Sequence, residues 1–253
     1  MPPTVLLRDV ALFFDVDGTL VSIENEPSAV NVSKALLTQM QRLAEATDGA
    51  VALVSGRSIE QLDALFQPLL FSASGLHGLE CRLLPGSVVS AKTDSKFLSS
   101  ARTELEAFAQ GRDGIFFEDK GLTLALHYRM APDQHEAAAQ VVRNVVDKSQ
   151  GNLVLLEGKK VFELKPPGFD KGKAIADFMK EPPFKGRRPI FAGDDVTDEA
   201  GFTVVNSLKG LSIKVGADEG ATEARNRVDH VQAMLAWLDD LLDHRDAQGG
   251  ERS

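Results

Sequence analysis

The octapeptide FFDVDGTL, residues 13–20, constrains this chain more than any other stretch, because it ends an apolar run in two aspartates and a glycine. A continuous apolar run of this kind reads as a strand buried on both faces, the pattern of a parallel sheet. Such a strand would deliver Asp15 at its carboxyl end, where open α/β sheets hold their ligands. Gly18 lets the backbone turn sharply, so that Asp17 returns over the same crevice. Two carboxylates so close repel each other unless a cation, a proton or a helix terminus intervenes. Taken alone, the stretch is equally well read as an ordinary Asp-Gly turn with an N-cap.

The remainder of the chain repeats the design. FAGDDVTDE, residues 191–199, is again an apolar strand and a glycine, followed by Asp194, Asp195 and Asp198. If the two strands are close in one sheet, acids from both converge, and clustered carboxylates suit a hard, oxygen-seeking magnesium ion. ALVSGR, residues 52–57, supplies a third strand ending in Ser55 and Gly56. FDKGKA, residues 169–174, places Lys171 at a helix start, where the ammonium and the free amides both favour a phosphate. Singly, Ser55 reads as a helix-start residue and Lys171 as a solvated charge; the four signals in order read as one site.

Between residues 10 and 80, apolar runs alternate with helical stretches such as NVSKALLTQMQRLAEA and SIEQLDALFQPLL. The second opens with Ser58 and Gln61 at capping-box spacing. Strands alternating with helices imply a parallel sheet covered on both faces. The style returns after residue 166 with DKGKAIADFMK, RPIFAGDD, a helix after Thr197, GLSIKVG and VQAMLAWLDDLLDHR. From 84 to 165 it differs: GIFFEDKGLTLALHYR and NLVLLEGKKVFELK each read as two strands joined by a tight turn, and a helical stretch precedes each hairpin. The expected fold class is therefore α/β, a Rossmann-like core with a parallel sheet plus an inserted α+β cap domain with an antiparallel sheet. The expected boundaries are 1–83 for the first part of the core, 84–165 for the cap and 166–253 for the second part of the core. The polar tail DAQGGERS is expected to fray.

Composition excludes several functions. Of 253 residues, 43% are hydrophobic and 26% charged, which is ordinary for a globular protein. A net charge of −9 disfavours a broad attraction to nucleic acid or anionic lipid, so any phosphate must be held locally. One cysteine, Cys81, makes neither an internal disulfide nor a cysteine-rich zinc site. The start carries no basic leader region, and no run approaches the ~18 apolar residues of a membrane span. The expectation is a cytoplasmic enzyme with no nucleic-acid or membrane partner; a monomer suffices, and the oligomeric state stays open.

The ordered set Asp-x-Asp-Gly-Thr, apolar-Ser-Gly-Arg, Lys-Gly and Gly-Asp-Asp resembles the haloacid dehalogenase (HAD) superfamily of aspartyl phosphatases. FFDVDGTL, VSGRS, GLHGLE, HYR, FELKP, DKGKAI and GDDVTDE together resemble the trehalose-6-phosphate phosphatase family, and the likeness runs through the inserted region. The resemblance implies a Rossmann-like core with a mobile cap and a small-molecule sugar phosphate as substrate. It further implies Asp15 as nucleophile, Asp17 as general acid and base, Ser55 and Lys171 as holders of the phosphoryl oxygens, and Mg2+ bound by Asp15, the backbone carbonyl of Asp17, and Asp194. Asp195 and Asp198 would orient the metal's waters or Lys171, and Thr19 is either a turn residue or a phosphate contact. A sister phosphatase for sucrose or mannosylglycerate phosphate would keep this core and differ in the cap. A phospho-acceptor signalling module would be shorter and would lack the hairpins.

In TLALHYR, alternation sets Leu124, Leu126 and Tyr128 on one face and Thr123, Ala125, His127 and Arg129 on the other. A face bearing both signs of charge is as readily a solvated one. The resemblance carries Glu118, Lys120, Arg129 and Glu163 over as sugar contacts, with Lys159 beside them. His77 and Glu80 are either a buried structural pair or substrate contacts.

Overall fold

The computed structural model describes residues 2–24, 30–93, 95–217 and 220–249. The chain divides into two compact units, Met1–Val89 with Asp170–Ser253, and Ser90–Phe169. The expected boundaries at 83/84 and 165/166 fall a few residues earlier than these. At the amino side, residues 84–88 are turn and loop leading to Val89–Ser90, the short last strand of the first sheet.

In the first unit, β1 (Val10–Phe14), β2 (Val51–Val54), β3 (Ser72–Gly75), β4 (Glu80–Arg82), β10 (Arg188–Gly193), β11 (Leu211–Val215) and β12 (Asn226–Val228) form one sheet. Its order is β12-β11-β10-β1-β2-β3-β4, extended by the short β5 (Val89–Ser90). Pairing is parallel from β12 through β3 and antiparallel between β3 and β4. The all-buried β1 feeds two apolar layers. Val10, Leu12 and Phe14 face α1 (Lys34–Ala46), α2 (Ile59–Phe66) and α7 (Val231–Gly249), while Ala11 and Phe13 face α5 (Lys171–Phe178) and α6 (Glu199–Ser207). This two-sided burial explains why β1 reads as an unbroken apolar run. Helix starts follow local chemistry. Ser33 accepts from the Leu36 amide, and Ser58 with Gln61 forms the full capping box. The helix α7 continues through Gly249, past the point where fraying is expected, and residues 250–253 of that tail lie outside the described residues.

In the second unit, α3 (Ser95–Ala109), β6 (Phe116–Asp119), β7 (Leu124–His127), α4 (His135–Lys148), β8 (Val154–Gly158) and β9 (Val161–Lys165) follow one another, so the helix-strand-strand unit occurs twice. The sheet is antiparallel with order β6-β7-β9-β8. Leu124, Leu126, Phe162 and Leu164 pack with Leu98, Leu105, Val142 and Val145 of the two helices. The opposite face carries Phe116, Glu118, Ala125, His127 and Glu163, which share strand parity through the pairs Phe116↔His127, Glu118↔Ala125 and Ala125↔Glu163. Among the described residues, no helix is long and apolar enough to cross a membrane.

Candidate active site

Because β1, β2 and β10 are adjacent and parallel, the residues that follow them emerge side by side. The Asp15 amide continues the ladder by donating to the Ala192 carbonyl at 2.9 Å, which fixes Asp15 two residues' reach from Asp194. Gly18, at φ 82°, makes their approach possible: a Cβ there would lie 2.1 Å from Asp194 Oδ2. Any side chain at position 18 would push the second strand's acid away from the first.

Lys171, the first residue of α5, reaches this cluster from the side. Its Nζ lies 2.8 Å from Asp15 Oδ1 and donates to Asp198 Oδ1 at 2.7 Å. The other oxygen of Asp198 accepts from the backbone amides of Asp194 and Asp195, each at 2.9 Å. Asp198 is thus a fully buried tie between the β10 loop and the lysine. Asp195 caps the short turn that carries Asp198, accepting from the Val196 amide at 2.7 Å.

Asp15, Asp194 and Asp198 each offer a carboxylate oxygen within 4.8 Å of the others, and all three residues are buried. Three acids against the single ammonium of Lys171 leave a buried excess of negative charge, which water cannot screen there. Burial pushes the Asp15 carboxyl well above the ordinary aspartate range; Lys171 opposes this, and Asp198 and Asp194 add to it. For Lys171, burial pulls downward, but Asp15 and Asp198 outweigh it and hold the ammonium above the usual lysine range. The donor set is all oxygen and short of positive charge, so it fits a hard divalent cation.

Asp17 is turned to a different partner. Arg57, two residues past the end of the β2 loop's Ser55, donates from Nε to Asp17 Oδ2 and from Nη2 to Asp17 Oδ1, each at 2.7 Å. The sequence reading assigns Arg57 no role, although the signal is present in the quoted VSGR motif: a guanidinium one turn from an acid loop is a natural bidentate partner. Ser55 is buried, and its hydroxyl accepts from the Arg57 amide at 3.1 Å. Thr19 is fully buried and its Oγ1 has no hydrogen-bond partner among the described residues. Glu80 accepts from the Ile59 amide at 2.8 Å, so it caps the start of α2.

In the second unit, Thr123 Oγ1 donates to Glu163 Oε1 at 2.8 Å and Lys120 Nζ lies 3.4 Å from the same oxygen. Glu118 Oε2 meets His127 Nε2 at 3.0 Å. Arg129 and Lys159 are joined at the other end of β7, with Arg129 Nη2 donating to the Lys159 carbonyl at 2.8 Å. The structure therefore gathers Lys120 and Glu163 with Thr123, and pairs Glu118 with His127, while Arg129 and Lys159 form a separate group near the β8–β9 turn. Thr123 and His127 share the face of the expected sugar contacts, and sequence parity is the signal that marks them.

The first unit is a doubly wound, mostly parallel sheet whose first strand ends at an aspartate salt-bridged to a helix-start lysine, and an antiparallel α+β unit is inserted in its sequence. A phosphatase of the HAD superfamily from Bacteroides thetaiotaomicron shares this fold, superposing with a TM-score of 0.65 at 16% identity over 95% of this chain and 98% of that one. The trehalose-phosphatase family model matches residues 13–232, and the chain belongs to that family. The trehalose-6-phosphate phosphatase of Escherichia coli K12 is 44% identical over 229 residues, 90% of this chain and 85% of that protein. The C-terminal domain of trehalose-6-phosphate phosphatase from Candida albicans superposes with a TM-score of 0.84 at 20% identity, over 96% of this chain and 98% of that one.

Proposed function

We propose that this chain hydrolyses trehalose 6-phosphate to trehalose and inorganic phosphate through an aspartyl-phosphate intermediate. The observation that carries the reading is the buried Lys171 ion-paired to Asp15 at 2.8 Å beside two further acids, in a chain 44% identical to the Escherichia coli enzyme. Asp15 attacks phosphorus, and the sugar oxygen leaves as the new Asp15–phosphorus bond forms, which divides a hard hydrolysis into two easier steps. Asp17 gives that oxygen its proton, then takes a proton from the water that attacks the aspartyl phosphate. Ser55 and Lys171 hold phosphoryl oxygens as charge shifts during both steps. Asp198 holds Lys171 in place, and Asp195 shapes the turn that carries Asp198.

A magnesium ion would be held by Asp15, the backbone carbonyl of Asp17, and Asp194, and when bound it supplies charge that offsets the repulsion between an anionic nucleophile and an anionic phosphate. In the inserted unit, Glu118, Lys120 and Glu163 accept and donate to sugar hydroxyls, with Arg129 and Lys159 contributing from the β8–β9 end. Such a set supplies mixed donors and acceptors, which a disaccharide's hydroxyls need. The test is phosphate release from a panel of sugar phosphates, with and without magnesium. Turnover of trehalose 6-phosphate far above sucrose 6-phosphate, mannosylglycerate phosphate and glucose 6-phosphate is the expected result; preference for another member reassigns the substrate and keeps the chemistry.

A further inference from the structure

After β3 the chain adopts a conformation that residues with a Cβ seldom take. Leu76 and His77 have φ of 49° and 55°, with Gly78 following at 100°. Left-handed backbone is disfavoured for each such residue, and two in succession persist only where the surroundings hold them. Here they are held by the Ser55–Arg57 loop. The Leu76 amide donates to the Arg57 carbonyl at 3.0 Å and the His77 amide donates to the Ser55 carbonyl at 3.1 Å, so the strained turn grips the loop on both sides of Gly56. The buried His77 ring then closes over Gly56 itself. A Cβ on Gly56 would come within 2.7 Å of His77 Nε2 and 2.9 Å of its Cε1. Three residues further on, Glu80 takes the Ile59 amide, tying down the same loop where it enters α2.

We propose that His77 is a positioning residue: its left-handed backbone and its ring together set the Ser55–Gly56–Arg57 loop in the shape that binds a phosphoryl group and aims Arg57 at Asp17. This rests on Ser55 as a phosphoryl-binding residue, as argued above. A histidine that merely fills the core contributes to stability and leaves the anion affinity of the folded protein unchanged. A positioning histidine also sets how well the loop receives an anion.

The two contributions separate by substitution. His77→Gly leaves the left-handed backbone accessible and removes the ring, whereas His77→Ala removes the ring and also strains the backbone. Each variant, loaded with magnesium, is assayed for fold by circular dichroism, for inhibition by inorganic phosphate, and for kcat and KM on the sugar phosphate. His77→Gly is expected to stay folded while phosphate inhibits it roughly tenfold less well and KM rises more than kcat falls, the scale of one mispositioned hydrogen bond. His77→Ala is expected to match that loss and to melt lower. Gly56→Ala is expected to be impaired by the clash with the ring, and the double variant Gly56→Ala with His77→Gly to be less impaired than the two losses combined, because the clashing partner is gone. Wild-type phosphate inhibition and KM in His77→Gly overturn the proposal, as do additive effects in the double variant. Wild-type protein that phosphate does not inhibit overturns the underlying assignment of Ser55 instead, a result the variants cannot mimic.

Discussion

Arg57 holds both carboxylate oxygens of Asp17, Nε to Oδ2 and Nη2 to Oδ1, each at 2.7 Å. A guanidinium carries only donors, so a proton placed on Asp17 would face N–H groups from the same partner. For Asp17 to hand a proton to a departing sugar oxygen, at least one of these two bonds must first open. The same holds when Asp17 takes a proton from water, so both of its proton transfers are conditional on Arg57 moving.

Arg57→Ala is accordingly expected to act through the leaving group. A sugar alkoxide needs a proton to depart, and p-nitrophenolate does not. General acid catalysis contributes about 10²- to 10⁴-fold, and a misplaced Asp17 should forfeit a part of that, on the order of tenfold to a hundredfold, on trehalose 6-phosphate. The first-step rate on p-nitrophenyl phosphate should change far less. Equal losses on both substrates would show that Arg57 serves the phosphoryl group and not Asp17.

The Lys171–Asp198 tie has a consequence for stability. Asp198→Asn keeps the shape but turns an amide N–H₂ toward either Lys171 or the amides of Asp194 and Asp195, leaving like donors face to face in a buried site. Breaking one partner of a buried ion pair costs about 3–5 kcal/mol. At about 2–4 °C per kcal/mol for a chain of this size, Tm should fall by roughly 6–20 °C. A melt within a degree of wild type would remove Asp198 from this role. The pH dependence has a defined sign. Lys171 has its folded pKa raised above the unfolded value, so its contribution is fully present below the unfolded lysine pKa of about 10.4 and is lost as pH rises beyond it. Wild type should therefore lose stability above that pH more steeply than Lys171→Met.

The acid cluster gives a proton-linked expectation. In the metal-free site burial, reinforced by Asp198 and Asp194, raises the Asp15 carboxyl, so Asp15 keeps its proton to a higher pH than an ordinary aspartate. A cation needs the carboxylate, and its binding should release that proton. Calorimetric titration of magnesium in two buffers of different ionisation enthalpy should give different apparent heats; identical heats would place binding away from Asp15. EDTA should silence phosphate release and magnesium restore it. Calcium should inhibit, since its larger and looser coordination misplaces the nucleophile.

The parts of this fold that were legible in the sequence are those where one physical demand dominates a segment. Strand β1 is buried on both faces and reads as an apolar run, and Ser58 with Gln61 announces a helix start. By contrast β3 is Ser-Ala-Ser-Gly, fully buried yet polar by composition, because it lies between β2 and β4 with its side chains too small to carry a hydrophobic pattern. The short β12, Asn226–Val228, is an edge strand with one buried residue and shows no pattern either. At the site, spacing brings Asp15, Asp194 and Lys171 into view, but not the partner of Asp17. That pairing joins residues 40 apart in sequence, and only the parallel register of β1 with β2 brings their loops together.

On the proposed reading, the sugar contacts belong to the inserted unit and the phosphoryl chemistry to the other, so the two can be tested independently. Glu163 is nearly buried and accepts from Thr123 at 2.8 Å, with the Lys120 ammonium 3.4 Å away. Glu118, in the same cross-strand row as Glu163 with Ala125 between them, meets His127 at 3.0 Å. Alanine at Glu118 or at Lys120 removes a charged group that a sugar hydroxyl would bond, an interaction worth roughly 1.5–3 kcal/mol, or on the order of tenfold to a hundredfold in kcat/KM. Trehalose 6-phosphate hydrolysis should fall by about that factor, and p-nitrophenyl phosphate hydrolysis should change little, because Asp15, Asp17, Ser55 and Lys171 lie in the other unit. The aryl phosphate also controls for folding, since a collapsed core loses both activities. Thr123→Val should give an intermediate loss, because it removes one hydrogen bond to Glu163 without removing the charge. Equal loss on both substrates would mean the unit acts through stability, and no loss on either would mean that its charged face is solvated surface.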